Sequence, residues 1–437
     1  MQSADLLSRA GFGFILVAVP LVTCNAIRAS ENLTYGDIPL AIGALLLLAV
    51  WLREGHPRGV VPIGVVVGAG LLLATGLLSS LPLENVGSFS AMLRFWFTFA
   101  VMPPIIMFAA STPQRVQRLI DAWLVAAAAN AVVGATDLLG LTNIGMALTN
   151  VDFVRYTDRA PGLTFHPNHL GIVAAMALPF AVARLGAGGM RGLAALGLVP
   201  LLIVGVVESG SRGASLAAAG GVLILFALGI STMRTRTILL LLAAPVLTFV
   251  VLVSVVGNNE LTGSVAIDRL GGGRGATLSD AARKQTLRQS LGDAGDHLIV
   301  GGGFAVVRTA HNIYLQLLQA GGILALAGFL AYAAAILRRA RWLALTAHGS
   351  PPWLAALAAA AGASICVWLL YGMVGNTIYD RYLYIPVGIT LALGKVHRRA
   401  VIGPGQTGDP PPASRSDAIA RGARTTPRGD DARLVLR

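Results

Sequence analysis

An all-α integral membrane protein is the fold class this sequence predicts, and three observations carry it. The 437 residues are 55% hydrophobic and only 12% charged, too little polar surface to clothe a soluble core. Apolar runs near twenty residues recur between short polar breaks, the length a helix needs to cross hydrocarbon while satisfying its own backbone. The runs also lack the period-two alternation of a membrane β-barrel.

The spans read, in order, as 11–29, 37–52, 60–80, 90–110, 118–140, 168–186, 192–208, 214–231, 237–256, 311–337, 353–375 and 380–397. That is roughly twelve helices, the shortest of them needing local thinning or neighbours. MQSADLLSRAGFGF begins in the manner of a signal peptide but shows no convincing cleavage site, so it reads as a retained first helix. With the N-terminus inside, the inner connections hold Arg53 and Arg58, Arg115 and Arg118, Arg184 and Arg191, Arg234 and Arg236, then Arg338, Arg339 and Arg341. Lys395, Arg398 and Arg399 follow the last helix on that side, while the outer turn 81–89 has no Lys or Arg. The positive-inside rule therefore places both termini in the cytoplasm of a multi-pass protein. Three regions result: N-terminal helices over 1–150, a core over 151–397, and a tail over 398–437 that reads as disordered from its Pro, Gly and charge.

The formal charge of +13 does not imply nucleic acid, because most arginines lie beside helix ends, where membrane orientation requires them. Cys24 and Cys366 both fall inside apolar runs and imply no disulfide framework. Two outer loops break the charge bias. One, 141–167, carries Arg155, Arg159 and His166; the other, 257–310, carries Arg269, Arg274, Arg283, Lys284, Arg288 and Arg308. Basic residues gathered on the outer face point to an anionic ligand there.

Four constellations carry the chemistry. In HNIYLQLLQAGG, His311 and Asn312 are followed after nine residues by Gly322. Asn312 fits a helix cap, Gly321 and Gly322 fit close approach of another helix, and His311 reads either as an interfacial histidine or as a general base. In RAPGLTFHPNHLG, Asn168 reads as a helix cap, and Arg159 reads equally as a loose surface residue or as an anion-binding fork. ESGSRGAS is a short turn that must aim Arg212 at whatever occupies the adjoining surface. TLSDAARKQTLRQSL predicts a helix over 277–291 with Ser279 near its start, Lys284 and Arg288 on one face and Arg283 on a neighbouring one. GGGF at 301–304 has the look of a phosphate-cradling loop without the strand and helix such loops need. The chain lacks paired-cysteine zinc spacing, HExxH and a compact outer aspartate pair. The site therefore reads as basic and metal-free, with no cofactor, suited to a phosphate-bearing ligand.

In order and topology, these motifs over roughly 150–390 resemble the O-antigen ligase superfamily of C-type membrane glycosyltransferases. The resemblance implies transfer of a glycan from undecaprenyl diphosphate to lipid A–core oligosaccharide at the periplasmic face of the bacterial inner membrane, in lipopolysaccharide biosynthesis. It places the family's essential histidine on His311, its essential basic residues on Arg212 and Arg283 (in preference to Arg269), a recurrent position on Arg159, and an acidic position on Asp380 in NTIYDRYLY. Donor contacts are expected from Arg159, His166, Arg269, Lys284, Arg288, Asn312 and Asp380, with membrane lipids as surroundings. His311 deprotonating the acceptor opposite the leaving diphosphate implies inversion. An O-antigen polymerase, disfavoured by the single dominant loop, and a pilin glycan ligase remain alternatives. A transporter would instead place ionisable groups at mid-membrane, often within an internal repeat. Arg94 and Asp137 are embedded near helix ends, where they either pair or reach the interface.

Overall fold

The computed structural model describes residues 2–30, 33–54, 61–80, 86–157, 159–186, 189–229, 274–304, 311–346, 351–375 and 378–402, and they are overwhelmingly helical. The first helix, α1, runs Gln2–Thr23, earlier at both ends than expected. A small antiparallel hairpin of β1 (Arg28–Ser30) and β2 (Leu33–Thr34) follows. Polar partners end the span: Asp37 accepts from the Thr34 amide at 2.7 Å and its hydroxyl at 3.0 Å.

Next come α2 (Asp37–Glu54) and α3 (Ile63–Ser80). The following span passes through α4 (Val86–Trp96), a π-helical turn (Phe97–Val101) and α5 (Met102–Ala109). The widened turn lies just ahead of Pro103 and Pro104, which have no N–H to return to the preceding carbonyls. Thr112 caps α6 (Pro113–Leu138), its hydroxyl accepting from the Arg115 amide at 3.3 Å. Two short helices, α7 (Ile144–Thr149) and α8 (Phe153–Thr157), occupy the region expected to be loop. Then follow α9 (Pro167–Leu185), α10 (Gly189–Glu208) and α11 (Arg212–Gly229). The helix expected over 277–291 is α12 (Arg274–Asp296), so Ser279 lies inside it rather than at its start.

α13 (Ile313–Leu345) outlasts its expected end, so Arg338, Arg339 and Arg341 are helical rather than in a loop. α14 (Pro352–Tyr371) precedes a 3-10 turn (Arg381–Tyr384) and α15 (Ile385–Ile402). The tail expected from 398 thus begins as helix, and its remainder lies outside the described residues. Eight described helical segments are long and apolar enough to cross a membrane, which is the make-up of an integral membrane protein. The span expected over 237–256 also lies outside the described residues.

α9 lies at the centre, buried along nearly its whole length, and the Ser364 hydroxyl of α14 donates to the Met176 carbonyl within it at 2.8 Å. α3 lies against α13 at Gly64, Gly68 and Gly328, where a methyl group would collide with the opposing helix. Arg94 and Asp137 do not form the pair considered above. Asp137 accepts from Thr142, Ile144 and Gly145 at 2.5, 3.0 and 2.7 Å, fastening the start of α7. Arg94 stands 5.1 Å over the Tyr379 ring.

α13 is interrupted where the sequence offered two glycines. Gly321 (φ −133°, ψ 15°) and Gly322 (φ 69°, ψ −169°) leave the helical region, and the second conformation is essentially restricted to glycine. Gly321 faces Thr75 of α3, as expected of a helix contact, whereas the close neighbour of Gly322 is the turn at Ile299 and Val300. Gly302 and Gly303 donate to the carbonyls of Gln319 and Ala320 at 2.7 and 3.0 Å, and Ile323 donates to Leu298 at 2.8 Å. The backbone groups freed by the break are therefore satisfied. The same bonds overturn the phosphate-loop reading of GGGF. Gly301 donates to the His297 carbonyl at 2.8 Å and Phe304 to the Ser88 hydroxyl at 2.9 Å, so all four amides are committed.

Candidate functional site

The site lies where α9, α11 and α13 begin and α10 and α14 end. Arg159 is 7% exposed. Its Nε donates to the Ser209 carbonyl at 2.6 Å and its Nη2 to the Asn168 amide oxygen. The neighbouring Ala160 amide donates to the Glu208 carbonyl at 3.2 Å. Gly210 adopts φ +55°, and a Cβ there would lie 3.1 Å from the Arg159 side chain. RAPG and ESGSRG therefore form one unit, and Arg159 is a fixed group, not a loose surface residue.

The cap of α9 corrects the expectation. Asn168 is already in the helix, and the cap is His166, whose Nδ1 accepts from the Asn168 amide at 3.1 Å. Asn168 uses its oxygen on Arg159 instead. His169, one turn on, has Nδ1 3.1 Å from the Asn25 amide nitrogen and 3.7 Å from Asp380. The Asn25 orientation is fixed because its Oδ1 accepts from the Phe165 amide at 2.9 Å and its Nδ2 donates to Asp380 at 3.1 Å.

On the far side, Asn312 caps α13 as expected. Its oxygen accepts from the Tyr314 and Leu315 amides, both at 3.0 Å, and its nitrogen donates to the Met373 carbonyl at 3.2 Å. The Ile313 amide donates to the Gly372 carbonyl at 2.8 Å. These bonds give Asn312 the structural role of a cap. They also fix the adjoining His311, which holds φ +50°, a left-handed conformation uncommon outside glycine.

Arg212 opens α11, half-buried. Its neighbour Gly213 lies against Tyr371 and Val374, in the Tyr371–Val374 stretch whose carbonyls hold Asn312 and Ile313. Arg212 and His311 thus flank one chain segment at one end of the bundle. The Tyr371 hydroxyl shares a hydrogen bond with Ser211 and lies within electrostatic reach of Arg159, Arg283 and Asp380.

α12 contributes one of its basic residues. Ser290 and Ala294 are buried, Ala294 against Leu315 of α13. Arg283, seven residues before Ser290, falls on the same stripe and is half-buried, whereas Lys284 and Arg288 are exposed. Of the three, Arg283 acts electrostatically on both histidines. Arg269 lies outside the described residues.

The groups of this cluster lie within electrostatic reach of one another. Burial first, then His169, Arg159, His311 and Arg283, hold the His166 imidazole far below its ordinary value, at about 3. Burial and then Arg283 likewise lower His311. The arrangement can therefore offer a neutral imidazole base beside fixed guanidinium groups. Asp380 joins through His169 and Tyr382, whose hydroxyl donates to it at 3.5 Å.

Sequence reasoning passed over Asn25, His169 and Tyr371. His169 stood in a quoted motif, one helical turn after His166. No family model matches this chain, and no curated protein matches it.

Proposed function

We propose that this protein is a lipid-linked glycan ligase of the O-antigen ligase type. It transfers a glycan from undecaprenyl diphosphate to lipid A–core oligosaccharide at the periplasmic face of the inner membrane. One observation carries the reading: His166, Arg159, Arg283 and His311 share a single electrostatic environment, although 152 residues of chain separate His311 from Arg159 (311 − 159). The resemblance assigned His311 and Arg283 to the reaction and Arg159 and His166 to donor contacts.

In the reaction, the acceptor hydroxyl oxygen attacks the anomeric carbon as the bond from that carbon to the diphosphate breaks. The hydroxyl proton passes to His311. The bonding electrons leave with the diphosphate, whose added charge is stabilised by Arg212 and Arg283, with Arg159 completing the cradle. Attack opposite the leaving group inverts the anomeric centre. Preorganised charge of this kind is typically worth about a hundredfold or more per group in rate, and holding two lipid-borne reactants in one groove adds an orientational contribution.

Purified protein given a lipid-linked glycan and three acceptors together (lipid A–core, a second lipid-linked glycan and a pilin) tests the assignment. Glycosylated lipid A–core is the expected product. Exclusive chain extension would make the protein a polymerase, and exclusive pilin modification a protein ligase.

A further inference from the structure

His166 and His311 share one neighbourhood, but their ring nitrogens are used differently. The Nδ1 of His166 accepts from the Asn168 amide at 3.1 Å, and a backbone N–H has no other role to offer, so that nitrogen carries no proton. The neutral ring must then hold its hydrogen on Nε2. Protonating Nδ1 would set two N–H groups against each other and remove the α9 cap. The ring is edge-on to Phe153, with centroids 5.2 Å apart, and 6.2 Å from the His169 ring. Among the described residues no hydrogen bond is formed by Nε2, and the residue is only partly buried. For His311, no hydrogen bond to either ring nitrogen is formed among the described residues, which leaves a nitrogen accessible for proton exchange.

We propose that His166 is a permanently neutral Nε2–H donor that hydrogen-bonds an oxygen of the diphosphate–sugar donor, positioning it without taking part in proton transfer. This rests on the ligase reading for the ligand's identity. The charged and titratable groups facing the ring are His169, Arg159, His311 and Arg283, with Asp380 behind His169. The four cationic or protonatable neighbours oppose a second proton on His166, and burial adds to them.

Asparagine and glutamine separate the two ring nitrogens. In His166→Asn the side-chain oxygen takes the place of Nδ1 and keeps the cap, while the Nε2–H is lost. In His166→Gln the amide reaches the Nε2 position and keeps a donor, while the cap is lost. We expect H166N to unfold within a few degrees of the wild type. Its affinity for the lipid-linked glycan should fall about tenfold, the loss of one hydrogen bond to a charged or polar oxygen. KM should rise with little change in kcat, and H166Q should recover part of the affinity despite lower stability. Undecaprenyl diphosphate without sugar, titrated in parallel, distinguishes the oxygens: weakened binding of both ligands assigns a phosphate oxygen, and weakened binding of the glycan alone assigns a sugar oxygen.

Nitrogen-15 NMR of histidine-labelled wild-type protein reads the tautomer without any variant. An unprotonated His166 Nδ1 that does not titrate between about pH 8 and pH 5 is expected, the ordinary histidine midpoint lying inside that window. A proton on Nδ1, or H166N binding as tightly as the wild type, overturns the proposal alone. Failure of the wild type to bind either lipid overturns it together with the ligase reading.

Discussion

The two ends of α9, about 27 Å apart along a helix of this length, are built on opposite principles. At one end Arg184 lies 2.7 Å and Arg191 3.4 Å from the two oxygens of Asp121, and Arg184 also donates to the Gln117 carbonyl at 3.2 Å. Positive charge there is met by a carboxylate. At the other end Arg159 is gripped by a carbonyl and an amide oxygen, and His169, Arg159, His311 and Arg283 all lie within electrostatic reach of His166. His311 holds a left-handed backbone there. One end couples its arginines to a carboxylate; the other gathers imidazoles and guanidinium groups beside a left-handed backbone position. The costs of such an arrangement persist where function requires them.

The sharpest way to break this contrast is His311→Ala. Removing the base should lower transfer by about a hundredfold to ten-thousandfold while thermal unfolding moves little, so a large drop in stability with unchanged transfer would make His311 structural. Gly322→Ala should act the other way. A side chain would collide with the Ile299 carbonyl and require a φ of +69°, costing about 3 kcal/mol or more in stability. Folded yield and denaturation midpoint would reveal it, with Gly197→Ala, where nothing lies within 4 Å, as the neutral control.

Arg283→Ala should cost about a hundredfold in rate. Lys284→Ala and Arg288→Ala should cost no more than about threefold each, because exposed charges are screened by solvent. Equal losses at all three positions would erase the distinction between the faces of α12.

The pH dependence has a defined sign. His166 and His311 are both held below their ordinary value of 6.5, so on acidification through that value the unfolded chain takes up protons before the folded one does. Their contribution to stability is full above 6.5 and is lost as the pH falls towards the folded values. Denaturation at a series of pH values should show that decline. The acid limb of transfer, governed by His311, should likewise lie below 6.5. Smallest of all, Asp121→Asn at the opposite end should leave transfer unchanged and lower stability by about 1 kcal/mol, as expected for a partly exposed ion pair.

Periodicity made the helices legible, and the quoted motifs converge at one end of the bundle. Asn312 declared itself as a cap because cap chemistry is local. Asn168 has the same chemistry, but Arg159 draws its oxygen away, leaving the cap to His166; a contact across the fold overrode a local preference. The hairpin after α1 was hidden because the apolar run continues through Ala26 and Ile27 before its polar partners are reached. Gly322 signalled a special position, but only the segment threading against it distinguishes helix packing from a broken helix. Helical phase put Arg283 on a different face from Lys284 and Arg288 without saying which face turned inward. Burial of Ser290 and Ala294 decided that.

The most direct test is reconstitution with a lipid-linked glycan and lipid A–core in chelator-treated buffer, comparing the wild type with His311→Ala. The account predicts glycosylated lipid A–core, of inverted anomeric configuration, from the wild type and almost none from the variant. Equal product from both, or none from a folded wild type, would contradict it.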